Sequence, residues 1–276
     1  MGFPMALRVA SGGHTVLAIE ADPTRCDAAR AAGLTICDIT QLKDADIVVV
    51  MVATSDQLRG VLEGDEGALA AMRTDATCVV MSTVGPAAVE KAAAQAGERG
   101  IALLDVPVTG GVTGAELGTL TLLAGGDRDV LDRAQPVLST MGSVFFCGNK
   151  IGDGQAVKVV NQLLCSVHLV AAAEALALAQ QLGLDPTRVL DAVRSGAGGS
   201  WMLSDRGPRM LDGDAPALTA LGIFVKDSEL VAEAASDIAF ETPLLQVARE
   251  KFRQAAHLGY ALQDDSSVRR AYQGTL

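Results

Sequence analysis

Aromatic side chains are scarce in this chain, at 3% of 276 residues with a single tryptophan. Apolar residues nevertheless make up 49%. A sizeable core must then be built from Ala, Val and Leu, which suits closely packed helices and parallel strands. Positive charge is also short: 22 Lys and Arg face 33 Asp and Glu, a formal net charge of −11. A phosphate backbone would be repelled by that balance, so no nucleic-acid partner is expected. Cysteines are few and odd in number (Cys26, Cys37, Cys78, Cys147, Cys165), with no CxxC pair. That pattern predicts reduced thiols in a cytoplasmic protein, with neither a disulfide frame nor a metal site. The first residues show no basic stretch followed by an apolar run, so no signal peptide is read there. Long unbroken apolar runs are missing too. The nearest, "LLCSVHLVAAAEALALA" (163–179), is interrupted by Ser166, His168 and Glu174. A bilayer span needs about 20 largely apolar residues, so a core or interface helix is expected and no membrane partner.

What is present alternates. "HTVLAIE" (14–20) reads as a strand, and "DPTRCDAARAAG" as a helix with Asp22 as cap, Pro23 in its first turn and Gly33 as stop. "ADIVVVMV" (45–52) is a continuous apolar run, the mark of a parallel strand covered on both faces. "TCVVMST" and "IALLDVPV" follow as strands, separated by the helix "GPAAVEKAAAQAGERG"; "LTLLAGG" and "SVFFCG" add two more. Repeated strand and helix argue for an α/β fold with a doubly wound parallel sheet of Rossmann type. After Gly154 only helical segments remain, the first running about 30 residues to Gly183. The expected organisation is an α/β domain over 1–150 and an all-α domain over 151–276.

Four stretches carry candidate chemistry. Glu20 ends a strand where an acidic residue can bind an adenosine ribose, or simply face water. A carboxylate there disfavours a 2′-phosphate, so NAD is favoured over NADP, although Arg25 could reach toward a phosphate. Thr109-Gly110-Gly111 follows a buried strand. Adjacent glycines let backbone N–H groups approach a small carboxylate, or serve only a tight turn. In "GDGQAVKVVNQ", Lys158 and Asn161 are three residues apart and share a helix face. Lys158 lies among valines, where burial would tune it for proton transfer; a lysine extending to solvent is the alternative. Lys226, in "IFVKDSELVAEAA", is by itself a solvated cation on an apolar helix.

Taken together these stretches resemble the β-hydroxyacid dehydrogenase family, which includes 3-hydroxyisobutyrate dehydrogenase and tartronate semialdehyde reductase. The resemblance spans essentially the whole chain. Its substrate motif is similar to "DVPVTGGVTGAELGTLTLLAGG", with Thr109 where Ser is commoner. It implies that Thr109, Gly110 and Gly111 bind substrate, that Lys158 is catalytic and that Asn161 is a substrate-binding amide. Gln162 stands where a second Asn is usual. "STVGP" implies that Thr83 contacts NAD; Val52 and Ala53 fall where the family lines the cofactor cleft, and Lys226 lies by the cofactor. The later stretches "GAGGSWMLSDRGPRML" and "LGYALQDDSSVRRAY" resemble the L-threonate dehydrogenase branch. That implies oxidation of the C2 hydroxyl of a four-carbon sugar acid to 2-oxotetronate, with Ser200, Trp201 and Asp265 as candidates for the pocket. Alternatives within the family are 3-hydroxyisobutyrate, tartronate semialdehyde and succinic semialdehyde as substrates; outside catalysis, the alternative is a cofactor-impaired homologue. Homodimers or homotetramers are implied, burying the long apolar helix.

The family begins with a strand and a GLGxMG loop. "MGFPMALRVASGGH" matches from the last two loop residues, so Gly2 takes the place of the third glycine. The first strand and two glycines, about ten residues by the usual size of a βαβ unit, have no counterpart. The expectation is a start assigned too late, at the methionine of the loop itself.

Overall fold

A computed structural model describes residues 1–212 and 216–272 of the chain. They form two compact units, Met1–Lys158 and Val159–Leu276.

The first unit opens with helix α1 (Gly2–Ser11). Strands β1 (Leu17–Ala18) and β2 (Thr35–Ile36) pair in parallel around helix α2 (Pro23–Ala31). The Asp22 carboxylate accepts from the Thr24 and Arg25 N–H groups, and Pro23 occupies the first turn. Gly33, at φ +87°, takes the chain out of the helix in a conformation other residues resist. The run 14–20 thus yields a shorter strand than its composition predicts. β1 finds a ladder partner on one side only, and it forms a two-stranded sheet apart from the larger one.

That larger sheet contains β3 (Ile47–Val50), β4 (Thr77–Val80), β5 (Ala102–Asp105), β6 (Val108–Thr109), β7 (Leu120–Gly125) and β8 (Gly142–Gly148). Helices α3 (Ser55–Leu62), α4 (Ala68–Ala71), α5 (Pro86–Glu98), α6 (Gly111–Leu117) and α7 (Arg128–Leu138) connect them. β3, β4 and β5 are parallel neighbours in register. β7 then runs antiparallel to β5 and β6, and β8 parallel to β7. The reversal has a local cause. β6 and β7 are joined by α6 and a left-handed turn at Gly118, shorter than the dozen or so residues of a parallel crossover. Every residue of β4 is buried, as its composition predicts. β3 departs from expectation: it ends the strand order, and its Val49 is 38% exposed. An edge strand has no neighbour to help cover its second face.

Helix α8 (Asp153–Gln181) begins in the first unit and continues into the second. Helices α9 (Pro186–Val193), α10 (Trp201–Leu211), α11 (Leu221–Asp237) and α12 (Pro243–Ala255) follow, then a 3-10 segment over Asp265–Tyr272. The core of this unit joins Leu169, Ala173 and Leu176 of α8 to Phe224, Phe252 and Val268. The Phe224 and Phe252 rings lie 5.3 Å apart. Among the described residues α8 alone is long and apolar enough to cross a membrane. All five cysteines are free thiols, and burial pushes Cys78 up to about 12.

Candidate active site

In an open α/β sheet, ligands gather beyond the carboxyl ends of the strands. Three neighbouring strands of the first unit end together there. Val52 and Ala53 follow β3, Thr83 follows β4, and Thr109 closes β6, with Gly110 and Gly111 leading directly into α6. The Val52 N–H donates to Ser82 Oγ at 2.7 Å, so the first two loops are tied directly. The Ala53 N–H donates to Gln57 Oε1, part of the capping box of α3.

Beneath these loops lies a buried polar network that sequence reasoning did not find. Asp105 closes β5 and has no exposed surface. Its Oδ2 accepts from the N–H groups of Gly152 (3.2 Å) and Gln155 (2.9 Å), at the first turn of α8. Its Oδ1 accepts from Gln155 Nε2 at 2.9 Å. Gly154 lets the helix come this close: a Cβ there would meet Leu123 O at 2.4 Å and Asp105 O at 2.8 Å. Gly152 serves differently, holding φ +97° where the chain turns into the helix. Asp105 was visible only as the first letter of the substrate motif, and Gln155 as a polar residue one turn before Lys158. Nothing in periodicity pairs residues 50 positions apart.

Burial pushes the Asp105 carboxyl up to about 6, against hydrogen bonds from Gln155, Gly152 and Gly154 that pull it down. Unfolded, it titrates near 3.8. Between those values the folded chain holds the proton more tightly. Its contribution therefore falls as pH rises from about 4 to about 6 and is level above, a loss of about 3 kcal/mol. Urea unfolding of the natural chain and of Asp105→Asn at about pH 4 and about pH 7 checks this. A pH dependence equal in both would refute it.

Lys158, one turn beyond Gln155, is 7% exposed. Gly110 and Gly111 adopt φ +125° and +66°, so both need glycine. A Cβ at Gly111 would meet nothing within 4 Å, so the turn borders open space. Glu20 follows β1, in the smaller sheet, and its Oε1 accepts from the Ala21 and Asp22 N–H groups. Gly2 is the first residue of α1, and a Cβ there would come into ordinary contact with Met51.

In the second unit, Asn161 and Lys226 are joined through two intermediates. Asn161 Nδ2 donates to Gln162 Oε1 at 2.8 Å, and Gln162 Nε2 to Asp227 Oδ2 at 2.5 Å. The Lys226 ammonium lies 2.8 Å from Asp227 Oδ1. Gln162, where the motif usually has Asn, thus spans to a buried carboxylate on α11. The expected pocket candidates fare differently. Asp265 is fully buried in an ion pair with Arg206, which suits a structural clamp rather than a pocket wall. Ser200 accepts from the Leu203 N–H as the cap of α10, and Trp201 stacks on Arg206.

Residues 1–151 match the NAD binding domain of 6-phosphogluconate dehydrogenase, and residues 152–272 the NAD-binding domain of NADP-dependent 3-hydroxyisobutyrate dehydrogenase. The chain is 35% identical to an L-threonate dehydrogenase of Cupriavidus necator, over 99% of this chain and 93% of the relative. The chain belongs to the 3-hydroxyisobutyrate dehydrogenase-like family. This hydroxyacid dehydrogenase is also 33% identical to an NAD-dependent L-serine dehydrogenase of Pseudomonas aeruginosa, over 100% and 95% of the two chains. The solved 3-hydroxyisobutyrate dehydrogenase of Salmonella typhimurium superposes on it with a TM-score of 0.90, at 33% identity and 98% and 95% coverage. It is therefore an oxidoreductase acting on CH–OH groups with NAD or NADP. The dehydrogenase's own residues fit such a cofactor. Parallel β3, β4 and β5 end side by side, the placement at which open α/β sheets bind dinucleotides.

Proposed function

We propose that this dehydrogenase oxidises the C2 hydroxyl of L-threonate to 2-oxotetronate, with Lys158 as general acid and base. The observation that carries the reading is a lysine shielded from water on α8, in a chain 35% identical to an L-threonate dehydrogenase. Thr109, Gly110 and Gly111 hold the substrate carboxylate through N–H and hydroxyl donors. Lys158 Nζ takes the hydroxyl proton as the C2 hydrogen leaves with its electron pair, and returns it in the reverse direction. Asn161, one helical turn on, orients that hydroxyl. Gly2, Val52, Ala53, Thr83 and Lys226 border the cofactor, and Glu20 receives its ribose hydroxyls. When bound, NAD supplies the nicotinamide carbon that accepts the hydride. A 2′-phosphate would face the Glu20 carboxylate, so NAD is preferred over NADP.

A second reading is supported by the L-serine and 3-hydroxyisobutyrate dehydrogenases among the relatives. In those substrates the hydroxyl is one carbon further from the carboxylate. Steady-state kcat/KM on L-threonate, L-serine, 3-hydroxyisobutyrate and glycerate, each with NAD and NADP, separates the two. L-threonate with NAD is expected to rank first. L-serine or 3-hydroxyisobutyrate in that place would select the second reading, and no turnover on any would leave a non-catalytic homologue. Val157, Val160, Leu164 and Leu178 recur along α8 as exposed apolar residues. That stripe supports a homodimer or homotetramer, measurable by light scattering. The free thiols fit a cytoplasmic location.

A further inference from the structure

We infer that Gln155 is a positioning residue, fixing the Thr83 loop and the first turn of α8, and through them Lys158, against the end of the sheet. The inference rests on the reading of Lys158 as the proton-transfer group.

The Gln155 carboxamide is completely buried and uses its whole hydrogen-bonding capacity. Oε1 accepts from Val84 N–H at 3.0 Å and Gly85 N–H at 2.9 Å. Nε2 donates to Ser82 O and to Asp105 Oδ1, both at 2.9 Å. The Gln155 N–H donates to Asp105 Oδ2 at 2.9 Å. Thr83 lies between two residues whose backbone this one side chain holds. Ser82 carries the constraint onward, since its hydroxyl accepts the Val52 N–H and donates to Val50 O. One amide thus ties the carboxyl ends of β3, β4 and β5 to α8. Lys158 follows three residues later on the same helical face, so a shift of the first turn moves its ammonium. A misplacement of about 1 Å can cost about 10²-fold in rate.

No other side chain reproduces this pattern. Glu matches the shape but has no donor for Ser82 O or Asp105 Oδ1 when ionised. Met matches the volume and offers neither donor nor comparable acceptor. The titratable group in contact with the carboxamide is Asp105. Cys147 lies close enough to interact with Asp105 and with Asp153, Lys158 lies one turn along α8, and Glu90 comes near Gly152.

The test uses Gln155→Glu and Gln155→Met in the full chain, with Lys158→Ala alongside. Three quantities are read: kcat against pH, NADH affinity by fluorescence titration, and thermal unfolding. In Gln155→Glu two carboxylates face each other, so one holds its proton to higher pH. The variant is expected to lose about 10²-fold in kcat at alkaline pH and to recover as pH falls, when the shared proton restores a donor. That ionisation is absent from the natural chain and from Gln155→Met, which stays impaired throughout with weakened NADH binding. Folded variants with natural kcat and NADH affinity overturn the inference. So do variants that fail to fold, or that lose kcat only in step with stability and show no new ionisation, because Gln155 would then be structural only. Full turnover in Lys158→Ala would instead refute the catalytic reading, while NADH affinity in the Gln155 variants would still test the hold on the Thr83 loop.

Discussion

Lys158→Ala is expected to lower kcat by roughly 10²–10⁴-fold, the usual worth of a positioned proton-transfer group, and to leave NADH affinity nearly intact. The expectation follows from position. At 7% exposure the amine is shielded from bulk water that could replace it. Alanine keeps the helix, so the loops around Thr83 and Val52, the proposed cofactor contacts, are expected to stay in place. Arginine would not restore the rate, because its guanidinium does not give up a proton in the working pH range. Steady-state kinetics with an NADH titration checks both halves. Turnover near the natural level would remove Lys158 from the chemistry.

Asp265→Ala is expected to destabilise the second unit by about 3–5 kcal/mol, the cost of leaving one member of a buried pair behind. Asp265 has no exposed surface and Arg206 is 8% exposed. The guanidinium grips both carboxylate oxygens: Nε lies 3.0 and 3.1 Å from them, and Nη2 lies 2.9 Å from Oδ2. Arg209 adds a bond to Asp264 at 2.9 Å, and the Trp201 ring centroid lies 5.3 Å from the Arg206 guanidinium carbon. Alanine removes the main counter-charge and leaves the guanidinium with Asp205 and the ring. An exposed pair such as Arg30–Asp27 makes the contrast, since surface pairs contribute at most about 1 kcal/mol. Equilibrium urea unfolding measures the difference. A loss within the surface range would mean that water reaches Arg206 once Asp265 is gone.

Much of the fold was legible because it is written in local patterns. The apolar run of β4, the Asp22-Pro23 opening of α2 and the unbroken helix after Gly154 each announce themselves within a short window. The direction of β7 was not legible, because it depends on how few residues separate it from β6. Nor was the partial exposure of β3, which depends on which strands stand beside it. The same distinction divides the candidate site. Lys158 and Asn161 stand out as candidates because three residues on a helix make one face. Asp105 and Gln155 were missed as partners because a carboxylate and an amide far apart in sequence carry no shared pattern. A buried strand ending in Asp, and a helix opening with glycines and then Gln, are the only hints, and each is ambiguous without the other.

The clamp between Arg206 and Asp265 joins residues 59 positions apart, and this bears on the order in which the protein matures during synthesis. The first unit has all its contacts available once the chain has emerged through Lys158. The second has not: its core includes Val268 and Ala271, which pack against helices made long before. Domains emerge and fold from the N-terminal side, at about 5–20 residues per second. For several seconds of translation, α8 therefore trails from a finished nucleotide-binding unit with its apolar surface bare. Throughout that interval Leu169, Ala173 and Leu176 lack the later residues that bury them in the completed unit.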